Sequence, residues 1–213
     1  MFGPSPSSPG VAVLVPVKSF TAAKARLAPA LTAAQRAALA RRMAGAVVAA
    51  AAPLPCFVVC DDDDVATWAT AAGAGVLWCP GRGLNQAVGD GVAALADRGF
   101  ARVVVAHSDL PLARGFARVV GFGGVTVVPD RRDDGTNVLA VPTRAGFGFA
   151  YGVGSFRRHA AEARRLALGF RVVRDPLLGF DIDLPGDLAE VLHHRPGLLE
   201  GPPPTAGTRR LAP

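Results

Sequence analysis

The sequence predicts an α/β domain built on a mostly parallel, mixed sheet flanked by helices. Three observations predict it. Short continuous apolar runs rich in valine recur along the chain, as strands buried on both faces of a parallel sheet require. Segments with helical composition and helix-start signals alternate with them, and the connections are short. The chain has 213 residues, 50% of them hydrophobic, enough for one sizeable core and little for two, so a single domain is expected over residues 11–200.

The first run is VAVLVPV (11–17), followed by a loop with Lys18, Lys24 and Arg26. Thr32 and Gln35 then form a T-x-x-Q capping box, which sets the start of a long alanine-rich helix ending before Pro53. CFVVC (56–60) reads as the second strand, and Asp61 to Asp64 open a helix through Trp68. Acidic side chains suit the positive end of a helix, and that reading of the run is preferred to a metal site. GVLWC (75–79) is a third strand, GRGLNQAVGDGVAALADRG (81–99) turns into a helix, and RVVVA (102–106) is a fourth strand ending in HSDLPLA. VTVVPD (125–130) and NVLAVP (137–142) are strands around the loop RRDDGT. A helix is expected from about Ser155 to Leu168, a strand at FRVV (170–173), and LLGFDID (177–183) leading to a last helix, PGDLAEVLHH, with proline in its first turn. There is no internal repeat.

The stretches 1–10 and 201–213 read as flexible tails. Neither a secretory signal nor an apolar run long enough for a membrane helix is seen, so a cytoplasmic location and no membrane partner are expected. The net charge of +6 is carried almost wholly by arginine, Lys18 and Lys24 being the only lysines. A basic balance favours anionic partners. Without blocks of like charge or aromatics interleaved with arginine, nucleic acid is not expected among them. Cys56, Cys60 and Cys79 make neither a disulfide framework nor a zinc set, and read as thiols in a reducing compartment.

Ligands of parallel sheets sit beyond the carboxyl ends of the strands. Those positions nominate Lys18, Lys24 and Arg26; Gly81 to Gln86; Ser108 and Asp109; Thr136 and Asn137; and Asp181 and Asp183. In an extended Asp-Ile-Asp both carboxylates leave one face. With Asp109 they suit a hard cation such as magnesium, which takes a few carboxylates and completes its shell with water and phosphates. Taken alone, Asp181 or Asp183 equally suits the capping of the next helix. The basic first loop suits a triphosphate and a leaving pyrophosphate, although it is no Walker A loop, and no G-x-G-x-x-G follows a strand. Asn85 and Gln86 could read a purine edge or merely begin a helix. GVGSF (152–156) places glycines before a helix start, an anion seat or an ordinary serine cap. His107 is the one histidine near these groups, and no proton-transfer role is assigned to it.

In order, PVKSFTAAKARL, GLNQAV, the SDLPL turn, GTNVLAVP, YGVGSFRRHAAEA and GFDIDLPGDL resemble the 2-phospho-L-lactate and phosphoenolpyruvate guanylyltransferases of coenzyme F-420 biosynthesis, over about residues 11–193. The resemblance implies a nucleotidyltransferase fold of the GT-A-like, nucleotide-diphospho-sugar transferase kind, GTP as donor and magnesium as cofactor. It implies metal binding by Asp109, Asp181 and Asp183, and acceptor binding by Thr136, Gly152 and Ser155. Lys18, Lys24, Arg26, Asn85 and Gln86 are then expected on the nucleotide, with Lys24 also catalytic. RRDDGT departs from the pattern, because Asp133 and Asp134 bring negative charge beside Thr136. The Ala- and Arg-rich composition resembles that of high-GC actinobacteria, so phosphoenolpyruvate is expected before 2-phospho-L-lactate, with coupling to a downstream deazaflavin transferase. On residues alone two alternatives stay open: a sugar-nucleotide glycosyltransferase, which also uses Asp-x-Asp and a metal, and a nucleotide-binding regulatory domain without turnover.

Overall fold

A computed structural model describes residues 10–199. The elements are β1 (Val11–Pro16), α1 (Ala33–Ala50), β2 (Cys56–Cys60), α2 (Asp63–Ala71), β3 (Gly75–Trp78), α3 (Leu84–Asp97), β4 (Arg102–Ala106), α4 (Ala117–Val120), β5 (Val125–Pro129), β6 (Thr136–Pro142), α5 (Ser155–Arg165), β7 (Phe170–Val172) and α6 (Pro185–His194). The strands form one seven-stranded sheet in the order β3-β2-β1-β4-β6-β5-β7. Pairing is parallel except where β6 lies antiparallel between β4 and β5. The mostly parallel mixed sheet is therefore as expected. The tail expected at 201–213, and that at 1–10 apart from Gly10, lie outside the described residues.

β1 runs through the middle and shows why its sequence is continuously apolar. Its side chains alternate between faces. Val13 and Val15 join one core with Ala44 and Val47 of α1 and with Val65 and Ala69 of α2. Ala12 and Leu14 join another with Val88, Val92 and Leu95 of α3 and Ala163 of α5. All four β1 residues are fully buried, so each face needs its own apolar set.

Local signals place the helices. Thr32 caps α1 through its side chain, accepting from the Gln35 amide, while the Thr32 amide donates to Gln35 Oε1 at 2.9 Å. Such a cap contributes about 1 kcal/mol. Asp62, rather than the whole acidic run, caps α2 by accepting from the Val65 amide at 3.0 Å. The cap of α5 is Gly154, in a left-handed conformation at φ 73°, and Ser155 is the first helical residue. The serine-cap alternative is thereby corrected. The helix also ends earlier than expected, at Arg165, and α4 was not anticipated.

A third core seats the chemistry. Leu27, Leu31, Leu39 and Met43 pack with Phe180, Ile182, Leu188 and Val191. It joins the basic loop after β1 to the segment before α6, although about 150 residues of sequence separate them. Nothing in local pattern announces that junction.

Candidate active site

Ile182 is fully buried in this third core, and Asp181 and Asp183 flank it. Alternation along an extended segment puts both carboxylates on the side facing away from the anchor. Leu27 anchors the other half in the same way. It closes the short helical turn Ala25–Leu27, and Lys24 immediately before it has left-handed geometry, φ 55° and ψ 41°. For a residue with a Cβ that conformation costs roughly 1–2 kcal/mol. It delivers the ammonium to Asp109 Oδ2 at 2.6 Å and Asp183 Oδ1 at 3.0 Å. Arg26 reaches Asp183 Oδ2 only at 3.8 Å and is largely exposed, so its contribution as an ion pair is small.

Asp187, in the first turn of α6, fixes the Asp-Ile-Asp segment from behind. Its Oδ2 accepts from the Asp183 and Leu184 amides at 3.0 and 2.8 Å, and Arg131 and Arg132 pair with its other oxygen. Sequence reasoning missed this role. The signal for it was an acid three residues past the cap residue Leu184, which reaches back to cap the amides before it.

Burial would raise the Asp109 carboxyl, but Lys24 and then His107 overcome it and hold the group below the usual carboxylate range. Burial lowers Lys24, yet Asp109 and Asp183 outweigh it, so the ammonium is held charged. Asp181 has no such partner. Burial, then the charges of Asp109 and Asp183, push it up to about 6. Asp109 Oδ1 and Asp181 Oδ1 are buried with no hydrogen-bond partner. Buried polar atoms are almost always satisfied, so two orphaned carboxylate oxygens at one place point to a ligand. Hard oxygen donors fit a divalent cation. Among the described residues, however, no three His, Cys, Asp or Glu side chains are gathered closely enough to hold a metal ion; the Lys24 ammonium bridges two of the three candidates instead.

Two cavities meet at Asp109. One, of about 320 Å³, opens at the carboxyl ends of β1 to β4, between apolar walls from Val17, Val59, Leu84 and Ala87, with Lys18, Asp61 and Arg82 as its charged groups beside Asp109. That volume lies in the range of small-molecule sites. The second, of about 230 Å³, is lined by residues of the basic loop, among them Lys18 and Lys24. Lys18 is exposed and lines both. Cys60 and Cys79 are free thiols on the first cavity wall, and Cys56 is also free. Arg82 falls within the stretch Gly81 to Gln86 nominated from the sequence, whereas Asp61 was not foreseen as a cavity residue.

Asn85 and Gln86 lie in the exposed first turn of α3. Neither lines the two cavities. Asn85 Oδ1 accepts from the Tyr151 amide at 2.6 Å. Its demonstrable work is thus to tie α3 to the glycine loop before α5. Thr136 and Ser155 are buried and also lie outside both cavities. Thr136 Oγ1 is 3.0 Å from His159 Nδ1, while His159 Nε2 accepts from the Ala150 amide. Burial lowers His159 to about 4. A neutral ring that accepts at Nε2 must carry its proton on Nδ1, so it donates to Thr136 and leaves the threonine hydroxyl proton free to donate elsewhere. At the α5 start Gly152 has φ 110°, and the Gly154 amide donates to Asp134 Oδ2 at 3.0 Å. The acidic loop therefore supplies a carboxylate to the helix end where an acceptor anion was expected.

His107 is half-buried, packs against Tyr151 with ring centroids 4.9 Å apart, and is held below its ordinary range by the protein around its ring. Its Nε2 has no partner.

The family model described as guanylyl transferase CofC like matches residues 11–199. A phosphoenolpyruvate guanylyltransferase of Sphaerobacter thermophilus is 34% identical over 192 residues, 86% of this chain and 93% of that protein. One from Thermomonospora curvata is 39% identical, covering 84% and 82%. A 3-phospho-D-glycerate guanylyltransferase of Phenylobacterium zucineum is 32% identical, covering 84% and 88%. Among solved structures, a nucleotidyl transferase from Methanothermobacter superposes with a TM-score of 0.59 at 13% identity, over 88% of this chain and 98% of that one.

Proposed function

The chain belongs to the guanylyl transferase CofC-like family, and from that premise we propose that it transfers GMP from GTP to the phosphate of a small phosphorylated carboxylic acid. Phosphoenolpyruvate is the first choice of acceptor, because relatives named for it align over most of this chain; 2-phospho-L-lactate and 3-phosphoglycerate are the alternatives to test. The product would be an intermediate of coenzyme F-420 biosynthesis, formed in the cytoplasm and consumed by a downstream deazaflavin transferase. Family membership decides against the glycosyl-transfer and regulatory alternatives.

The observation that carries the reading is the Asp109–Lys24–Asp183 bridge beside two orphaned carboxylate oxygens, where two cavities join. An acceptor phosphate oxygen attacks the α-phosphorus of GTP, a new P–O–P bond forms, and the bond to the β-phosphate breaks with its electron pair leaving on pyrophosphate. The acceptor phosphate is already ionised at neutral pH and needs no general base, and His107 is given no proton-transfer role. What the step requires is charge neutralisation and in-line positioning. Asp109, Asp181 and Asp183 would hold a divalent cation, magnesium by expectation, whose charge offsets that of the phosphates. Lys24 and Lys18, with Arg26 on the outer side of Asp183, meet the triphosphate; a lysine is a mobile point charge suited to oxygens that shift during transfer. By the resemblance, Thr136 and the Gly152–Ser155 turn serve the acceptor, whose anion would displace the Asp134 carboxylate from the Gly154 amide.

The test is an acceptor screen with GTP and magnesium, following pyrophosphate and identifying products by mass. A guanylylated acceptor with one pyrophosphate per turnover is expected. Release of GDP, or no product with any of the three acids, would overturn the reading.

A further inference from the structure

Asp61 stands apart from the acidic run to which it belongs. Asp62 caps α2 and Asp63 and Asp64 lie in its first turn, where acids are accounted for by the helix dipole. Asp61 is outside the helix, half-buried, directly after β2, and lines the 320 Å³ cavity. It makes no side-chain hydrogen bond or ion pair among the described residues. The walls near it are apolar: Val59 and Cys60 from β2, Leu84 and Ala87 from the first turn of α3. A carboxylate on the wall of a mostly apolar cavity that also holds Lys18 and Arg82, with no protein donor bonded to it, is placed to accept from a ligand.

Position says which part of a nucleotide it meets. In the sheet β2 is separated from β4 by β1 alone. Asp61 follows β2, and Asp109 follows β4 closely. Two strand spacings, roughly 10 Å, take base, ribose and α-phosphate in line. With the phosphates at the Asp109–Lys24 end, the base falls at Asp61. Guanine presents two adjacent donors there, N1–H and the N2 amino group, and a carboxylate offers two acceptors and no donor. Adenine presents an acceptor nitrogen at that place and would be repelled.

We propose that Asp61 selects guanine by accepting from N1–H and the N2 amino group. The proposal rests on the cavity being the nucleotide site.

Calorimetric titration of the full chain with magnesium and GTP, ITP, XTP or ATP tests it. ITP lacks the N2 amino group, so wild-type affinity should fall about ten- to hundredfold from GTP to ITP, the value of one hydrogen bond to a charged group. XTP and ATP should bind more weakly still. Asp61→Asn replaces one acceptor by a donor, which opposes the N2 amino group of guanine and matches the 2-oxo group of xanthine. The variant should lose GTP affinity and prefer XTP. Equal wild-type affinity for GTP and ITP would show that nothing accepts from the N2 amino group and overturn the proposal without any variant. So would an Asp61→Asn variant with unchanged GTP preference. If wild-type chain bound no GTP at all, the nucleotide site itself would fall, and the proposal with it.

Discussion

Lys24→Met keeps the aliphatic stem and removes the charge that bridges Asp109 and Asp183. The side chains of Lys24 and Asp109 are 11% and 20% exposed, that of Asp183 39%. Removing one partner of a buried pair costs about 3–5 kcal/mol, because the other charge is left uncompensated. Asp183 is wet enough that its share is small, so the lower figure, about 3 kcal/mol, applies. At about 2–4 °C per kcal/mol for a chain of this size, the melting temperature in EDTA should fall by about 6–12 °C. Magnesium should reverse much of that. The carboxylates freed of the ammonium are then open to the cation, and a ligand at a hundred times its Kd stabilises by about 2.7 kcal/mol. Wild-type chain should respond less, since its ammonium competes for the same oxygens. Thermal melts of both proteins in EDTA and in millimolar magnesium read this without any turnover. A variant that melts like wild type in EDTA would show that the bridge holds nothing together. A loss that magnesium leaves unchanged would remove these carboxylates from the metal assignment.

Asp183→Asn preserves shape and the Asp187 contact to the backbone, so the fold should persist while turnover drops about 10²–10³-fold, the scale on which losing one preorganised electrostatic group slows an enzyme; near-normal turnover would take Asp183 out of the site. Ser155→Ala should raise the acceptor KM about ten- to hundredfold with GTP affinity intact, and a loss falling on GTP instead would reverse the two subsites. His159 is fully buried against Phe147 and Tyr151, and burial, then the nearby charges of Arg158 and His107, lower it from 6.5 to about 4. Its depressed value means that the unfolded chain binds the proton first, so about 3 kcal/mol of stability present above pH 6.5 is lost as pH falls through 4. Denaturant unfolding of His159→Gln, which retains a hydrogen-bonding side chain opposite Thr136, should fall less steeply across that window; slopes equal to wild type would assign the dependence to other groups.

Much of this fold was legible because its signals are local. The apolar runs of β1 and β4 are continuous since both faces are covered, and Thr32 with Gln35 marks the α1 start by two hydrogen bonds between near neighbours. The carboxylates were legible for a topological reason: Asp109 follows a buried parallel strand, and parallel strands end at the ligand crevice. What escaped depends on distant chain segments. Lys24 was expected on phosphate, and its bridge to Asp109 and Asp183 spans sequence separations of 85 and 159 residues. Asn85 was read as a base contact or the beginning of a helix; it lies in the first turn of α3, and its bond to the Tyr151 amide crosses 66 residues of sequence.

The acidic run shows the limit most clearly. Four consecutive aspartates look equivalent in sequence, and one helix end accounts for such a run. The chain direction separates them: Asp62 turns its oxygen onto the Val65 amide and starts the helix, which leaves Asp61 on the strand side of that turn, on the cavity wall. A helix needs its acids at the cap and first turn only. The residue before the cap answers to whatever lies beyond the strand, and here that is the 320 Å³ cavity proposed for the nucleotide.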